Sequence, residues 1–375
     1  MKSLKKHKLS VMSIAIISIG LAFNANAVDY SGPVYTAKKV NLPSSDYKPT
    51  ALSENGRKLA GYKDRDGGGF EGWYYNGSSY KDFKVVGGWC SDTYRCSAIP
   101  TGINNNGDIV GSGYWGSNYY KKAWISRAGG LAKEIKHTTI VDWSYALDIN
   151  RYGYIAAYGR SHPSYQNRGY RQHVNTYNSN SGAKDLGTLG GLTSYAKAIN
   201  RSGIIVGESQ NSDEQYVRAM KWKSGTMTQL PGLPGGTNEL DNALGINDSG
   251  VIVGYAGDPN SYGKKAVKWV NNKIYDLKIK KSNGYDASEA EAHHVTNKGD
   301  IVGIVYEYRR NISFYRKHYP FVLRNGKQYK IADQIKTDAG KWSPVTVLDV
   351  SPDGKMLVSA SKNGSSGYYV LTTTN

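Results

Sequence analysis

One short pattern recurs along this chain and limits what it can fold into. An apolar run, a polar turn with a glycine and a second apolar run stand at 242–255 as NALGINDSGVIVGY, and again at 197–209 and 101–113. Each copy is typical of a β-hairpin, because glycine adopts positive φ in a tight turn and asparagine hydrogen-bonds nearby backbone. Asn247 and Gly250 hold these two positions in the first copy quoted.

The hairpin occurs seven times at a nearly constant interval. Its turn glycines are separated by 51, 46, 50, 47, 49 and 55 residues. They are Gly56, Gly107, Gly153, Gly203, Gly250, Gly299 and Gly354. The sixth copy, VTNKGDIVG, is expected to turn one residue more tightly than the others. A period near 50 residues predicts a solenoid, a propeller or an array.

Each hairpin is followed by two further strand patterns. The third strand carries an aromatic residue, as at Trp124, Trp222 and Trp269, and the fourth ends in Asp-Leu or a similar pair, as at 185–186. Four short antiparallel strands are the content of one propeller blade. The composition agrees with an all-β chain rich in turns: there are 44 glycines and 31 tyrosines but only 5 phenylalanines.

The two ends of the chain indicate how a ring would close. The last repeat supplies three strands, and the segment 34–43 precedes the first hairpin with no partner of its own. If this segment is the fourth strand of the last blade, no sheet edge remains there. We therefore predict an all-β, seven-bladed propeller of four-stranded blades. An open β-solenoid is the alternative, and it would leave 34–43 unpaired.

The first 27 residues have the pattern of a secretory signal peptide. Four lysines precede an apolar run at 11–23, and Ala25-Asn26-Ala27 is typical of a cleavage site. The alternative is an uncleaved membrane anchor, but the run is shorter than the ~20 residues that a spanning helix needs. We expect 28–375 to be a single propeller domain, monomeric and exported to the periplasm, the cell surface or the medium.

The chain is strongly basic. Its formal net charge is +18, and removal of the signal lysines leaves 44 basic against 30 acidic residues, or +14. Such a charge attracts acidic or sulfated polysaccharides, nucleic acid and anionic membrane surfaces. A basic surface that only keeps the protein soluble is the alternative.

The chain contains two cysteines, Cys90 and Cys96, in the stretch WCSDTYRC. In an oxidising compartment two cysteines this close are expected to form one local disulfide. The spacing does not fit a C-x-x-C redox motif, and no second ligand pair lies nearby for zinc. The disulfide would fix one loop, because the loop that it closes is short.

The fullest repeats resemble a known family. DLGTLGGLTSYAKAINRSGIIVGES (185–209) and the hairpin at 242–255 resemble the HAF repeat of secreted bacterial proteins, and the resemblance covers essentially 45–375. It departs at Glu54, at Ala156-Ala157 and at Lys298. The last hairpin, with Ser351-Pro352-Asp353-Gly354, resembles turns of other bacterial propellers. The family resemblance implies a surface or extracellular location, no cofactor and no shared catalytic residues.

The variable loops carry the candidate binding residues. With strands a to d counted from the axis outward, the a–b and c–d turns are short, and the longer b–c and d–a loops share one face. Four b–c loops interleave tyrosine with lysine or arginine, and Trp89, Tyr94 and Arg95 lie on a d–a loop. The candidates are Tyr119, Tyr120, Lys121, Tyr165, Arg168, Tyr170, Arg171, Arg309, Arg310, Tyr315, Arg316 and Lys317.

Tyrosine offers rigid amphipathic area, and arginine offers a planar fork that matches carboxylate, sulfate or phosphate. The alternative for each loop is structural: the tyrosines lie between blades and the arginines lie over them. No metal site is expected, because His293 and His294 should point to opposite faces of a strand. His162, His173 and His318 lie in the basic loops, and neither H-E-x-x-H nor G-x-S-x-G occurs.

The sequence thus favours an exported binding protein that holds an acidic or hydroxyl-rich polymer on its loop face, with no cofactor. The ligand could be a polysaccharide, a lipopolysaccharide, a host glycan or extracellular DNA. Two alternatives stay open. One is a polysaccharide lyase acting on uronates, which needs arginine, tyrosine and histidine to converge. The other is a scaffold for proteins of the envelope.

Overall fold

The computed structural model describes residues 32–65, 69–86, 97–114, 121–136, 140–161, 166–175, 182–213, 216–235, 240–261, 263–287, 289–308, 316–336 and 340–374. For 85–86, 140–142, 161, 308 and 316–317 it describes the backbone alone. No helix in these residues is long and apolar enough to span a membrane.

The described chain is almost entirely β-strand, with one short 3₁₀ helix at Ile331–Gln334. The strands are β1 (Tyr35–Lys39), β2 (Tyr47–Leu52), β3 (Leu59–Asp64), β4 (Phe70–Tyr75), β5 (Tyr80–Phe83), β6 (Val85–Val86), β7 (Ile99–Ile103), β8 (Asp108–Tyr114), β9 (Lys121–Arg127), β10 (Ala132–Glu134), β11 (Ile140–Ile149), β12 (Tyr154–Ser161), β13 (Asn167–His173), β14 (Lys184–Asp185), β15 (Gly190–Ile199), β16 (Ile205–Asn211), β17 (Val217–Lys223), β18 (Thr226–Gln229), β19 (Asn242–Ile246), β20 (Ile252–Gly257), β21 (Lys264–Val270), β22 (Lys273–Asp276), β23 (Glu289–Val295), β24 (Ile301–Tyr308), β25 (Arg316–Arg324), β26 (Lys327–Lys330), β27 (Trp342–Val350), β28 (Met356–Lys362) and β29 (Ser365–Thr373).

These strands form the seven blades of a propeller, as predicted. Blades 1 to 6 are β2–β5, β7–β10, β11–β14, β15–β18, β19–β22 and β23–β26, and blade 7 is β27–β29 with β1 outermost. The closing pair is antiparallel, with Tyr35 opposite Thr373 and Lys39 opposite Tyr369. The predicted closure by the N-terminal segment is therefore confirmed. Blade 2 has one addition, because β6 pairs in parallel with the outside of β10.

The hairpin turns have the geometry that their sequence predicts. All seven turn glycines have positive φ, from 64° to 90°. In the fifth copy Gly250 N–H donates to Asn247 O, and Val251 N–H donates to Asn247 Oδ1. The expectation of a tighter sixth turn is wrong. Gly299 N–H donates to Thr296 O at the same spacing, because threonine there takes the place of asparagine.

The innermost strand of every blade contains a β-bulge shortly before its turn. The register shifts between Ala146 and Asp148 in β11, for example, and between Ala292 and His294 in β23. An extra residue at a bulge breaks the strict alternation of side chains between the two faces of a strand. The bulge therefore brings residues to the channel wall that alternation alone would not place there.

The hydrophobic cores lie between neighbouring blades. Trp124 on β9 is fully buried and packs against Phe83 of blade 1, with ring centroids 5.6 Å apart. Gly111, in the recurring Ile-Val-Gly of the second strand, lies under this ring. A Cβ there would lie 2.4 Å from the indole and 2.2 Å from Ile99 O, so only glycine fits.

The hairpin turns of all blades lie at one end of the ring. The Asn150 side chain, for instance, donates to the backbone of Asn200 in the corresponding turn of the next blade. We call this end, which also carries the c–d turns, the turn face. The opposite end, which the b–c and d–a loops leave and enter, is the loop face.

Candidate functional site

The structure places a continuous band of aromatic and polar side chains on the inner three strands of blades 2 to 6, towards the loop face. We call it the inner belt. Its members are linked by ring contacts, ion pairs or hydrogen bonds from each blade to the next, and all are half-buried except Asn242, which is buried. They are Lys121, Trp143, Tyr145, Tyr158, Tyr195, Lys197, Glu208, Asn242, Tyr255, Lys264, Glu291 and His293.

The first part of the belt is an aromatic cluster. The rings of Tyr145 and Tyr158 are opposite each other on β11 and β12 and stack with centroids 5.0 Å apart at 14°. Tyr195 of blade 4 lies edge-on to Tyr158 at 5.0 Å, and Trp143 lies 5.6 Å from Tyr145. The cluster therefore joins two blades into one aromatic wall.

Two lysines border this wall. Lys121 Nζ lies 5.6 Å from the centre of the Tyr145 ring and 5.3 Å from that of Tyr114. Lys197 Nζ lies 5.3 Å from the Tyr195 ring and 5.8 Å from the Tyr158 ring. Both contacts are within the ~6 Å range of cation–π attraction. Among the described residues Lys121 has no carboxylate partner, whereas the neighbouring Lys122 lies 3.7 Å from Glu134.

The second part of the belt is polar. Lys197 pairs with Glu208 at 3.4 Å, and the amide of Asn242 donates to the same carboxylate. In blade 5, Lys264 Nζ lies 4.2 Å from the centre of the Tyr255 ring and pairs with Glu291 of blade 6 at 2.7 Å. His293 Nε2 lies 3.0 Å from the other oxygen of Glu291.

These contacts set the charge states of the belt. Burial acts to raise the pKa of Glu291, but hydrogen bonds from His293 and Lys264 outweigh it and hold the pKa below its ordinary value. For Lys264, burial acts to lower the pKa, and Glu291 raises it above the ordinary value. Burial raises the pKa of Tyr158 to about 12, so its hydroxyl stays protonated. The belt thus offers fixed charges beside neutral phenols.

Below the belt, the channel along the ring axis holds a cavity of about 190 Å³ lined by the innermost strands. Asp148, His294 and Asp349 occupy equivalent positions in three of these strands, two residues before the turn. Burial raises the pKa of both carboxyls, that of Asp349 to about 7, and lowers the pKa of His294 to about 3. Each carboxylate accepts two backbone N–H groups, one of which belongs to the next blade.

Of the residues predicted to bind ligand, Lys121 lies in the inner belt. Arg168, Tyr170 and Arg171 do not: they lie on β13, which begins at Asn167, and their contacts are with other parts of the blades. Arg168 pairs at 3.1 Å with Asp185 on the outermost strand of its own blade. Arg171 lies over Tyr154 at 4.7 Å and over Trp222 of blade 4 at 5.0 Å.

Tyr170 is a correction to the predicted site. It is 1% exposed and packs in the core between blades 2 and 3, so it is not available to a polymer. Its position on β13 turns the ring inward between the sheets. For Tyr170 and Arg171 the structural alternative, tyrosines between blades and arginines lying over rings, is the one observed.

The structure describes no side chain for the other residues that were predicted to bind ligand. Arg316 and Lys317 begin β25, whose backbone alone is described at these positions. Residues outside the described ranges are Tyr119, Tyr120, Tyr165, Arg309, Arg310 and Tyr315, together with Trp89, Tyr94, Arg95, Cys90 and Cys96.

Two expectations about histidines are also corrected. His173 and His318 are strand residues, not loop residues, and His173 lies at the turn-face end of β13, where its Nε2 is 2.8 Å from Tyr152 O. The register of β23 shifts between Ala292 and His294, so the strict alternation expected for His293 and His294 does not hold. Their ring centroids lie 6.5 Å apart. No group of three or more His, Cys, Asp or Glu in the described residues could hold a metal ion.

Reasoning from the sequence missed most of the belt, although a signal was present. Tyr145 and Tyr195 both stand five residues before their hairpin asparagine. Tyr158 and Tyr255 both stand three residues after the first isoleucine of the second strand, Ile155 and Ile252. Aligning the repeats by their hairpin turns predicts that these residues lie on adjacent inner strands. The composition of the loops instead favoured residues of the b–c loops as the binding site.

No protein-family model and no curated protein matches this chain. Among solved structures, the β-propeller domain of the Trilobed protease from Pyrococcus furiosus aligns with a TM-score of 0.55 at 9% identity, over 87% of this chain and 96% of that one. Acylaminoacyl peptidase from Pyrococcus horikoshii aligns with 0.50 at 10%, over 92% of this chain and 52% of that one. TolB from Acinetobacter baumannii aligns with a TM-score of 0.42 at 11% identity, over 88% of this chain and 85% of that one.

The Pyrococcus furiosus domain has an open velcro topology, whereas β1 closes blade 7 here. At these identities the similarity shows the propeller fold alone.

Proposed function

We propose that the protein is an exported binding module that holds a hydroxyl-rich polymer carrying acid groups, such as an acidic polysaccharide, at the loop-face end of its channel. The inner belt is the observation that carries this proposal. Stacked tyrosines offer flat apolar faces to sugar rings, while lysine, glutamate and asparagine offer donors and acceptors for hydroxyl and carboxylate groups.

The charge of the chain supports the acidic character of the ligand. The chain without its signal peptide carries a net +14. Within the belt Lys121 has no described carboxylate partner, and the arginines proposed for the loop of blade 6 would add to its field. Export by the N-terminal signal, and membership of the HAF-repeat proteins, are part of the same proposal.

The lyase alternative gains no support from the position of His173. That alternative needs histidine and arginine to meet near the axis, whereas His173 lies at the turn-face end of β13. We favour binding without polymer cleavage, and the appearance of new unsaturated ends in the polymer would favour the lyase instead.

The experiment is a binding array of alginate, polygalacturonate, heparin, lipopolysaccharide and DNA, followed by titration of the best ligand. We expect Lys121→Gln to weaken binding several-fold, because it removes one charge and keeps the length of the side chain. Lys223→Gln, an exposed residue on β17, is the matched control and should bind like the parent. If no polymer binds, or if the Lys121 variant binds like the parent, the belt is not the site.

A further inference from the structure

A second recess lies far from the inner belt, at the junction where the ring closes. It runs between the outer strands of blade 7 and the turns of blade 1, opens towards the turn face and has a volume of about 790 Å³. We call it the closure groove. Blade 7 contributes residues 38–41, Lys355, Val370 and Thr372, and blade 1 contributes residues 56–57, Leu59, 75–78 and Tyr80.

Basic residues line the groove, and none of the lining residues that the structure describes is acidic. Lys38, Lys39 and Arg57 are exposed, and none of the three forms an ion pair within the described residues. Elsewhere on blade 1 two lysines are paired, Lys48 with Asp64 and Lys63 with both Glu71 and Asp82. The groove is therefore positively charged, and no described carboxylate neutralises Lys38, Lys39 or Arg57.

A fourth cation is held at the edge of the groove by the hairpin of blade 1. The stem of Lys355, from blade 7, lies against Gly56, where a Cβ would come within 2.2 Å of it. Its ammonium group donates to Asn55 O at 2.7 Å. Gly56 thus allows this lysine to cross from one blade to the other.

The floor of the groove is apolar and ordered by hydrogen bonds. Val40, Leu59 and Val370 lie beside the rings of Tyr75 and Tyr80, whose centroids are 4.7 Å apart. The Tyr80 hydroxyl donates to Asn41 O at 2.9 Å and ties the end of the closing strand to blade 1. An apolar floor beneath a basic rim fits a ligand with both aliphatic groups and negative charges.

We propose that the closure groove binds an extended acidic peptide segment of a partner protein. Its aliphatic side chains lie on the floor, and its carboxylates meet Lys38, Lys39, Arg57 and Lys355. The aliphatic floor favours a peptide over a sugar polymer, which has no comparable side chains. The volume lies within the range of binding pockets. This site is on the turn face at the rim of the ring, so it is independent of the inner belt.

The test uses a fluorescein-labelled hexapeptide of alternating glutamate and leucine, and the same peptide with glutamine for glutamate. We expect the parent to bind the glutamate peptide at least tenfold more tightly. Lys39→Glu with Arg57→Glu should weaken that binding at least tenfold. Lys223→Glu with Lys273→Glu, the same total change in charge at exposed positions of β17 and β22, should not. A photo-crosslinking version of the peptide should mark residues 38–41, 56–57 or 75–80.

The outcomes separate the possibilities. Equal binding of the two peptides, or unchanged binding by the double variant, overturns the proposal. Loss of oligogalacturonate binding in the double variant, with no peptide bound by the parent, assigns the groove to a sugar polymer and also overturns it. If the double variant does not fold, Arg57→Gln, in an exposed turn, replaces it with an expected loss of at least threefold. Lys121→Gln should leave peptide binding unchanged, whatever becomes of polymer binding at the belt.

Discussion

The side-chain amide of Asn200 donates a hydrogen bond of 3.0 Å to the backbone carbonyl of Asn247, which begins the corresponding turn of the next blade. Asn150 reaches Asn200 in the same way, and Asn247 reaches Thr296. The three asparagines are buried. The asparagine of the repeated hairpin therefore does more than shape its own turn, because it also joins neighbouring blades around the turn face.

We predict that Asn200→Ala lowers the free energy of unfolding by about 1–3 kcal/mol, because it leaves buried backbone groups without partners. Asn200→Thr is the matched variant. Thr296 holds this position in blade 6 and accepts from Asp300 N–H at 3.1 Å, so threonine keeps the bond within the turn and loses the one between blades. Urea unfolding should rank the parent above threonine and threonine above alanine. Equal stability of all three would contradict the role of the side chain.

Tyr35 on the closing strand gives a second test. Its ring is fully buried in the core between blades 6 and 7, and its hydroxyl has no hydrogen-bond partner among the described residues. We expect Tyr35→Ala to cost about 3–5 kcal/mol, as for other buried aromatic residues. Tyr35→Phe should keep or raise the stability, because it removes an unsatisfied polar group. A phenylalanine variant as unstable as the alanine variant would show that the hydroxyl is in fact satisfied.

The fold could be predicted from the sequence because its signals are local and repeated. Turn glycines such as Gly250 mark every hairpin. Because the last repeat lacks a fourth strand, the otherwise unpaired segment at 34–43 could be assigned to that position. The sixth turn was misjudged because Thr296 does not look like the asparagine that it replaces. The turn uses a side-chain oxygen at its first position as a hydrogen-bond acceptor, and Thr296 Oγ1 accepts from Asp300 N–H.

The site was less predictable, because side-chain direction depends on where a strand begins. The basic stretch ending at His173 reads as loop by composition, yet β13 starts at Asn167, so Tyr170 turns into the core. The bulges are a further reason. They bring Asp148, His294 and Asp349 to the channel wall, and nothing in the hairpin pattern marks an extra residue in the first strand.

Asp349 should make stability depend on pH. Its carboxylate accepts the N–H groups of Leu52, in blade 1, and of Val350, each at 2.7 Å, and burial raises its pKa to about 7. The pKa of an unfolded aspartate is about 3.9. Because the folded state binds the proton more tightly, this group stabilises the fold at low pH, and its contribution is lost as pH rises from about 4 to about 7.

Asp349→Asn should therefore flatten the decline in the free energy of unfolding over this interval, while the contribution of Asp148 remains. Urea unfolding at half-unit steps from pH 4 to pH 8 measures the difference. Asp353→Asn, at an exposed position in the turn of the same blade, should follow the parent. An Asp349 variant whose pH profile parallels that of the parent would mean that the carboxyl has an ordinary pKa.

We also predict a disulfide between Cys90 and Cys96. Peptide mapping of the non-reduced protein should find the two cysteines in one cross-linked fragment, and two alkylated thiols would refute the bond. Cys90→Ser with Cys96→Ser should leave the thermal midpoint almost unchanged, because a short closed loop removes little entropy from the unfolded chain. A large loss of stability would show that this loop contributes to the ring itself.

The arginines predicted to bind ligand in blade 6 are tested by the salt dependence of polymer binding. Replacing Arg309, Arg310 and Arg316 by alanine should weaken binding to an acidic polysaccharide and reduce the slope of log affinity against log salt, because fewer counterions are released. The thermal midpoint should change little, because we predict these three arginines to lie on the surface, where a charge contributes about 0–1 kcal/mol. Arg171→Ala is the contrasting variant, because Arg171 lies over Tyr154 and Trp222 and should affect stability more than binding. A triple variant that unfolds would show that the three arginines are structural, and one that folds and binds with the parent's salt slope would place the polymer elsewhere.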